Sequence, residues 1–474
     1  MRNMTAATHS SPPPIARVID KGFCIGCGAC TALDSGFVMS KTPNGFLRIT
    51  KRPRERARLE AASAVCPFAT AKSEDELAVS LFPQADGYEE GIGRYISLYA
   101  GWSHELRSAA GSGGVTRWLL TRLLDSGAVD FVVAVNKKLL GAENGEDLFS
   151  YAIHESSDTL LQSVSASAYY PITLTEVLQQ VRQRPGRFAV TALPCFARAI
   201  RNLAEIDPSF GDRLAFVFGT ICGGLKSRRY AEYLSHQMGI EQERMSRINF
   251  RGKSLSRRAN EKCVEVWREG NDTPEPDAVA RVQSLRGTDY GFGYFKPKGC
   301  DFCDDVFAET ADISLGDAWI PPYNERPQGT NVVVVRNPEL EALLAKGASE
   351  GELVLEPLTP AQTRKTQESG LRHRRQGLAT RLWIARAIGR WAPAKRVAPN
   401  RGQVAFVITQ CIRVLVRKIS SSSFIKPSGR ALPLVMPPLA FLHGRLRRFS
   451  AQNQPDPPRA RPTAQHLLEL RMGE

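Results

Sequence analysis

Cys24, Cys27 and Cys30 fall within the seven residues CIGCGAC, and Cys66-Pro67 follows further along the chain. No other feature limits the fold as much. Thiols spaced by two residues on a glycine-containing loop can all turn inward, and a remote fourth thiol can complete the set. A proline after that fourth ligand turns the chain away. The spacing is that of a ferredoxin-type loop around a 4Fe–4S cluster. In two-cluster ferredoxins a nearby fourth cysteine serves the other cluster. Here Cys66 is distant, so it is assigned to the same cluster as Cys24, Cys27 and Cys30. The alternatives are unliganded thiols or a zinc site, although zinc hooks usually pair C-x-x-C with separate His or Cys partners.

The other cysteines need a use as well, since the chain carries ten in 474 residues. Its first fifteen residues, MRNMTAATHSSPPPI, lack the apolar core of a secretory signal. No run nears the roughly 18 apolar residues that span a bilayer. A cytoplasmic protein is expected, where disulfides are rare. Metal or redox chemistry is then the leading explanation for the thiols.

The strand-like YISLYAGW is followed by AAGSGGVTRWLLTRLLDSG, in which Val115, Trp118, Leu119, Arg122 and Leu123 recur at helical spacing. Gly127 is a stop signal. Gly111, Ser112, Gly113 and Gly114 thus precede a helix N-terminus, where free N–H groups and the helix dipole favour a phosphate or flavin pyrophosphate. The loop taken alone also fits a plain glycine-rich turn. It is neither G-x-G-x-x-G nor a Walker loop.

Further on, DFVVAV, RFAVTAL, LAFVFGT and NVVVV alternate with helical stretches. This predicts an α/β body with a largely parallel sheet. Cys195 follows one of these strands beside Pro194, and Cys222 follows another, so both can reach the sheet edge where ligands collect. Cys300 and Cys303 form a C-x-x-C hook. Cys195, Cys222, Cys300 and Cys303 supply four thiolates, enough for a second cluster. Inert packing, a zinc site and a redox dithiol are the competing readings.

In this order CIGCGAC with CP, GSGGVTRWLL, TALPCFARAIRNL, FGTICGG, INFRGK, KGCDFCDDVFAETADISLGDAW and GTNVVVVR resemble the beta subunits of coenzyme F420-reducing hydrogenase and formate dehydrogenase. The resemblance covers roughly 17–338. It implies iron–sulfur clusters, a bound FAD and two-electron exchange with a substrate such as coenzyme F420. Some relatives instead reduce chlorophyll-type side groups with electrons from ferredoxin. Carried over, Ser112, Gly113, Gly114 and Val115 would sit at the FAD. Cys195, Cys222, Cys300 and Cys303 would hold the core cluster, with Asp312 and Asp317 near flavin and cluster. Two positions depart from the family pattern: Ala168 stands where a lysine is expected, and Gly223 follows Cys222 where a histidine is common.

The implied architecture is α/β, with a disordered lead-in (1–14) and a small ferredoxin-like 4Fe–4S domain (15–75). A flavin-loop region (90–175) and a core-cluster region (176–345) follow, and then a basic, partly helical C-terminal extension (370–474). The charge is concentrated in that last part. The whole chain is +15, yet from Leu371 onward there are 20 Lys+Arg against 3 Asp+Glu. The extension reads either as a docking element for an anionic membrane surface or acidic protein, or as a loosely packed tail. No motif supports nucleic-acid binding. The expected protein is an iron–sulfur flavoprotein oxidoreductase with two 4Fe–4S clusters and FAD. It would be cytoplasmic, with docking of the extension able to hold it at the inner membrane face. It would link a ferredoxin-like donor to an F420-like coenzyme or other small organic substrate. The rival readings are a non-catalytic electron-transfer subunit and a zinc-stapled scaffold.

Overall fold

The computed structural model describes residues 12–70, 72–137, 147–253 and 258–422. It opens with the Pro14–Asp20 helix, where Pro14 takes the first helical position and its missing N–H costs nothing. The cysteine loop runs into the short Ala29–Leu33 helix. An antiparallel hairpin of β1 (Val38–Lys41) and β2 (Leu47–Lys51) leads to the Arg56–Val65 helix, which ends at Cys66. Ser73 and Glu76 form a capping box at the start of the Glu74–Leu81 helix. A second hairpin, β3 (Gly87–Glu89) with β4 (Gly93–Tyr95), leads into the main sheet.

That sheet takes β5 (Ser97–Ser103), β6 (Phe131–Lys137), β7 (Phe149–His154), β8 (Phe188–Ala192) and β9 (Leu214–Thr220). The chain then forms a separate antiparallel meander of β10 (Met245–Gly252), β11 (Cys263–Arg268) and β12 (Ala278–Arg281). It returns as β13 (Ile313–Asp317), β14 (Asn331–Val335) and β15 (Leu353–Pro357). The order across the sheet is β15-β5-β14-β13-β9-β8-β6-β7.

The sequence pattern predicts a largely parallel sheet, but only the centre, β13-β9-β8-β6, is parallel. The margins pair antiparallel. Between β13 and β14 the chain makes only a short 3₁₀ turn, Tyr323–Glu325. Without a crossover helix, neighbouring strands pair antiparallel. Because β14 opposes both β13 and β5, the latter points the same way as the centre. The C-terminal tips of β5, β13, β9, β8 and β6 therefore share one edge. Val332 to Val335 of β14 are all fully buried, as a strand covered on both faces requires.

One hydrophobic core joins Ile15, Phe23 and Phe68 of the cysteine segment to Phe131, Phe188 and Phe196 of the sheet and its helices. The segment expected to stand as its own small domain shares that core. The basic extension is likewise part of the body as far as Ser422. Its helices Glu368–Arg374, Gln376–Ala387 and Val404–Ser420 place Leu378 and Val416 in the same core. The stretches from 423 on, including the proline-rich one, lie outside the described residues. Among the described residues, no helix is long and apolar enough to cross a membrane.

Charge explains how an arginine-rich segment packs inward. Lys395 pairs with Asp304 at 3.0 Å, and both are almost fully buried. Arg396 meets Glu309 at 2.5 Å, Asp75 at 3.0 Å and Asp304 at 3.6 Å. Arg417 pairs with Asp301 at 2.7 Å. The carboxylates on the loop around Cys303 are thus matched from the C-terminal segment. Removing one member of a buried set leaves the others uncompensated, at a cost of about 3–5 kcal/mol. We expect Arg396→Met to destabilise the protein by about that much, read from the urea midpoint. Unchanged stability would show that the network is not needed for packing.

Candidate functional site

The N-terminal quartet is assembled by three local devices. Cys24 and Cys27 lie on the loop, Cys30 lies in the first turn of the Ala29–Leu33 helix, and Cys66 caps the Arg56–Val65 helix. Three of the four thiols are raised above their ordinary range. Burial, and then Cys27, Cys24 and Cys66, drive Cys30 upward. Burial pushes Cys27 up to about 12, and Cys66 is raised for the same reason. Thiols held protonated in this way must release protons when a metal centre takes them as thiolates.

The core quartet gathers at the shared edge of the sheet. Cys195 is the second residue of the Pro194–Ile206 helix, just beyond the tip of β8. Cys222 follows the tip of β9, and its Sγ accepts the Gly224 N–H at 3.2 Å. Cys300 lies in the 3₁₀ turn Lys298–Phe302, and its Sγ accepts the Leu225 N–H at 3.4 Å. Burial raises Cys195, followed by the thiols of Cys303, Cys300, Cys222 and then Cys27. Burial brings Cys300 to about 12. Among the described residues, no three His, Cys, Asp or Glu side chains converge on a single-ion site. Zinc requires its sulfur donors about 2.3 Å from one point. A four-iron cubane takes one thiolate at each corner and so accommodates a wider set.

Buried cations flank this quartet. Arg374 donates to the Cys222 carbonyl at 2.7 Å. Burial works against its charge, yet Cys303, Cys222 and Cys300 hold it above its ordinary value. Lys296 donates to the Gly223 carbonyl at 2.7 Å. Burial, and then Arg413, pull it down to about 8. Such cations suit four thiolates taken out of water, which a buried site otherwise penalises heavily. Sequence reasoning missed them, because Arg374 reads as part of a basic tail and Lys296 follows no motif.

The two quartets adjoin. Phe23, beside Cys24, packs edge-on against Phe302 at 5.0 Å. A Cβ on Gly299 would lie 2.5 Å from the Phe23 carbonyl oxygen, so only glycine lets the two loops approach this closely. Leu174 N–H donates to the Cys27 carbonyl at 2.9 Å. Tyr151, half-buried at the cavity wall, has its hydroxyl donating to Thr191 O at 3.0 Å. Burial, then Cys195 and Cys27, raise it.

A cavity of about 590 Å³ opens beside the core quartet, within the range of cofactor and substrate sites. Gly111, Ser112, Gly114, Thr116 and Arg117 line it on one side, and Cys222 and Gly223 on another. Gly113 and Val115 do not line it. The Val115 N–H is taken by the Asn331 Oδ1 at 3.2 Å, and the Ser112 hydroxyl donates to Thr330 O at 3.1 Å. These polar groups fasten the loop to β14 instead of facing a ligand. The two residues that depart from the family pattern, Ala168 and Gly223, both face the cavity. Arg251 crosses it, donating to Asp317 at 2.7 Å and to the Gly111 carbonyl at 3.1 Å. Lys253 donates to Arg107 O at 2.6 Å and Ser112 O at 3.2 Å. The extension closes the far side with His373, Arg374, Thr409, Gln410 and Arg413.

Asp317 lines the cavity at the tip of β13, but Asp312 lies at the opposite end of that strand. There it pairs with Arg201 at 2.5 Å and accepts the Val217 N–H at 2.6 Å. The expectation that both aspartates lie by flavin and cluster is corrected for Asp312, which fastens the sheet.

Residues 98–179 match the N-terminal part, and 186–361 the C-terminal part, of the family described as coenzyme F420 hydrogenase/dehydrogenase, beta subunit. Together these cover more than half of the chain. A subunit of the F(420)H(2) dehydrogenase of Methanosarcina mazei is 22% identical over 73% of this chain and 88% of its own. The coenzyme F420-dependent sulfite reductase of Methanocaldococcus jannaschii is 22% identical over 69% of this chain, which spans only 46% of that protein. A chain solved in a xenon derivatization of the F420-reducing [NiFe] hydrogenase complex from Methanosarcina barkeri superposes with a TM-score of 0.48 at 16% identity. It covers 65% of this chain and 99% of its own.

Gly114 offers a direct test of the loop. Its φ is +86°, and a Cβ would sit 2.9–3.0 Å from the backbone of Leu106 and Arg107. Gly127 has a similar φ of +70° with nothing within 4 Å. Each Gly→Ala change incurs the left-handed penalty of about 1–2 kcal/mol. Gly114→Ala should cost more than Gly127→Ala by thermal or urea unfolding, because only it displaces backbone. Equal losses would refute the close-approach argument.

Proposed function

This chain belongs to the coenzyme F420 hydrogenase/dehydrogenase beta subunit family, and from that premise we propose that it is an iron–sulfur flavoprotein oxidoreductase. The observation that carries the reading is the cavity that joins the glycine loop to Cys222 of a four-cysteine set. Cys24, Cys27, Cys30 and Cys66 would hold one 4Fe–4S cluster. Cys195, Cys222, Cys300 and Cys303 would hold the other. FAD would lie in the cavity against Gly111, Ser112, Gly114 and Thr116, and when bound it supplies two-electron chemistry that a cluster alone lacks.

The residues of the chain do the rest. The Val115–Asp125 helix turns its N-terminus toward the cavity, which favours an anionic group there. Arg251 is held by Asp317 and the Gly111 carbonyl, so it keeps a fixed cation at the loop. Arg374 and Lys296 offset thiolate charge on the core side. The helices of the extension wall one side of the cavity. The Phe23–Phe302 contact and the close approach at Gly299 hold the two cysteine loops together. The substrate is an F420-like coenzyme or another small organic acceptor, in line with the named activities of the relatives. Ala168 and Gly223 mark where this cavity would select differently from theirs. A ferredoxin-like protein is the proposed one-electron partner.

Protein purified without oxygen should contain about eight irons per chain and show broad absorption near 400 nm. Cys27→Ser should lower iron by about half, and denaturation should still release flavin fluorescence. Zinc in place of iron, or no flavin in the iron-replete protein, would overturn the corresponding part of the reading.

A further inference from the structure

Cys24, half-buried like Cys27 and Cys66, follows Phe23 in the chain, and a set of cations gathers on that side. Lys298 lies 3.8 Å over the Phe23 ring and donates to the Lys21 carbonyl at 2.8 Å. The Arg48 guanidinium lies beside Gly22, 3.5 Å from where a Cβ would stand. Arg390 follows the Gln376–Ala387 helix and precedes Trp391, whose ring meets Phe23 edge-on at 5.3 Å. Arg417 comes from the Val404–Ser420 helix. Of the nearby acids, Asp301 is paired with Arg417, and Asp20 with Arg52 at 3.0 Å. Among the described residues, no carboxylate stands at ion-pair distance from Lys21, Arg48, Lys298 or Arg390. Lys21, Arg48, Arg390 and Arg417 lie near enough to Lys298 for their charges to act on it. Cys27, by contrast, adjoins Cys195 of the core quartet. The N-terminal quartet thus has an inner side toward the core and an outer side ringed with positive charge.

We propose that the face around Cys24, bounded by Lys21, Arg48, Lys298 and Arg390, is the docking site for an acidic one-electron carrier protein. The inference rests on the reading of Cys24, Cys27, Cys30 and Cys66 as a cluster site. Electron transfer weakens steeply with separation, so a carrier must settle where the cluster lies nearest the surface. An acidic surface on that carrier would be drawn to this ring and oriented by it. The step moves one electron: the carrier is oxidised by one, the N-terminal cluster is reduced by one, and no bond or proton changes. Arg390 belongs to the C-terminal segment, which gives its charge a use beyond packing.

The experiment follows reduction of the anaerobic, full-length protein by stopped-flow absorbance with two donors. One is a reduced acidic 2Fe–2S ferredoxin, and the other is the small cationic methyl viologen radical. The variant is Lys21→Glu/Arg390→Glu, with Lys21→Gln/Arg390→Gln as the milder pair. With ferredoxin, the second-order rate constant of the Glu pair should fall about tenfold or more at low ionic strength. The Gln pair should fall less, and all forms should converge at high salt, where the charges are screened. Reduction by viologen should be unchanged or faster in both variants, with iron content unaltered. A ferredoxin rate and salt dependence that neither pair changes would overturn the proposal. So would a loss of the same size with viologen in the Gln pair, since that would place the effect in the cluster and not in docking. Salt-dependent binding to phosphatidylglycerol vesicles that the Glu pair abolishes, with an unchanged ferredoxin rate, would assign the ring to a lipid surface instead. A wild-type protein with only about four irons per chain and none held by Cys24, Cys27, Cys30 and Cys66 would instead refute the cluster reading, and the iron content distinguishes that failure from a failure of docking.

Discussion

Gathering four cysteines at one edge of the sheet is the constraint on which the rest of this structure depends. Four negative sulfurs out of water are stable only with positive charge beside them and N–H groups turned toward them. At the core quartet both are present. Gly224 and Leu225 donate to Cys222 and Cys300, while Arg374 and Lys296 stand alongside. Arg374 belongs to the segment that follows the sheet domain, so the electrostatics of the cysteines explain why an arginine-rich extension folds back onto the body. The acidic loop around Cys303 draws Lys395 and Arg396 inward in the same way.

The cysteine spacings and strand tips were legible in the sequence because they depend on local geometry. CIGCGAC fixes three thiols on one loop. Pro194-Cys195 marks a helix start, and the β-branched runs mark strands whose ends meet at one edge. The parallel centre of the sheet follows from the same alternation. The antiparallel margins do not, because the chain's choice between a crossover and a direct return at β14 depends on how its neighbours pack.

The glycine loop shows where local reading stops. Its position before a helix is plain in the sequence, and it does line the cavity. Which of its N–H groups remain available is decided by Asn331, more than two hundred residues away, whose side chain takes the Val115 N–H. Asp312 and Asp317 lie at opposite ends of one strand, so a short motif containing both could not tell the structural aspartate from the one at the cavity. The inward role of Arg374, Lys395 and Arg396 was hidden for a similar reason. In sequence they are a charge run, and only the fold supplies the carboxylates and thiols that they face.

The covering of the core quartet also has a consequence for synthesis. All eight cysteines of the two quartets precede residue 304, whereas the residues that pack over the loop, Arg374, Lys395 and Arg396, come later in the chain. A ribosome makes them last. The growing chain therefore presents both thiol sets while the segment that will pack over one of them is still being translated.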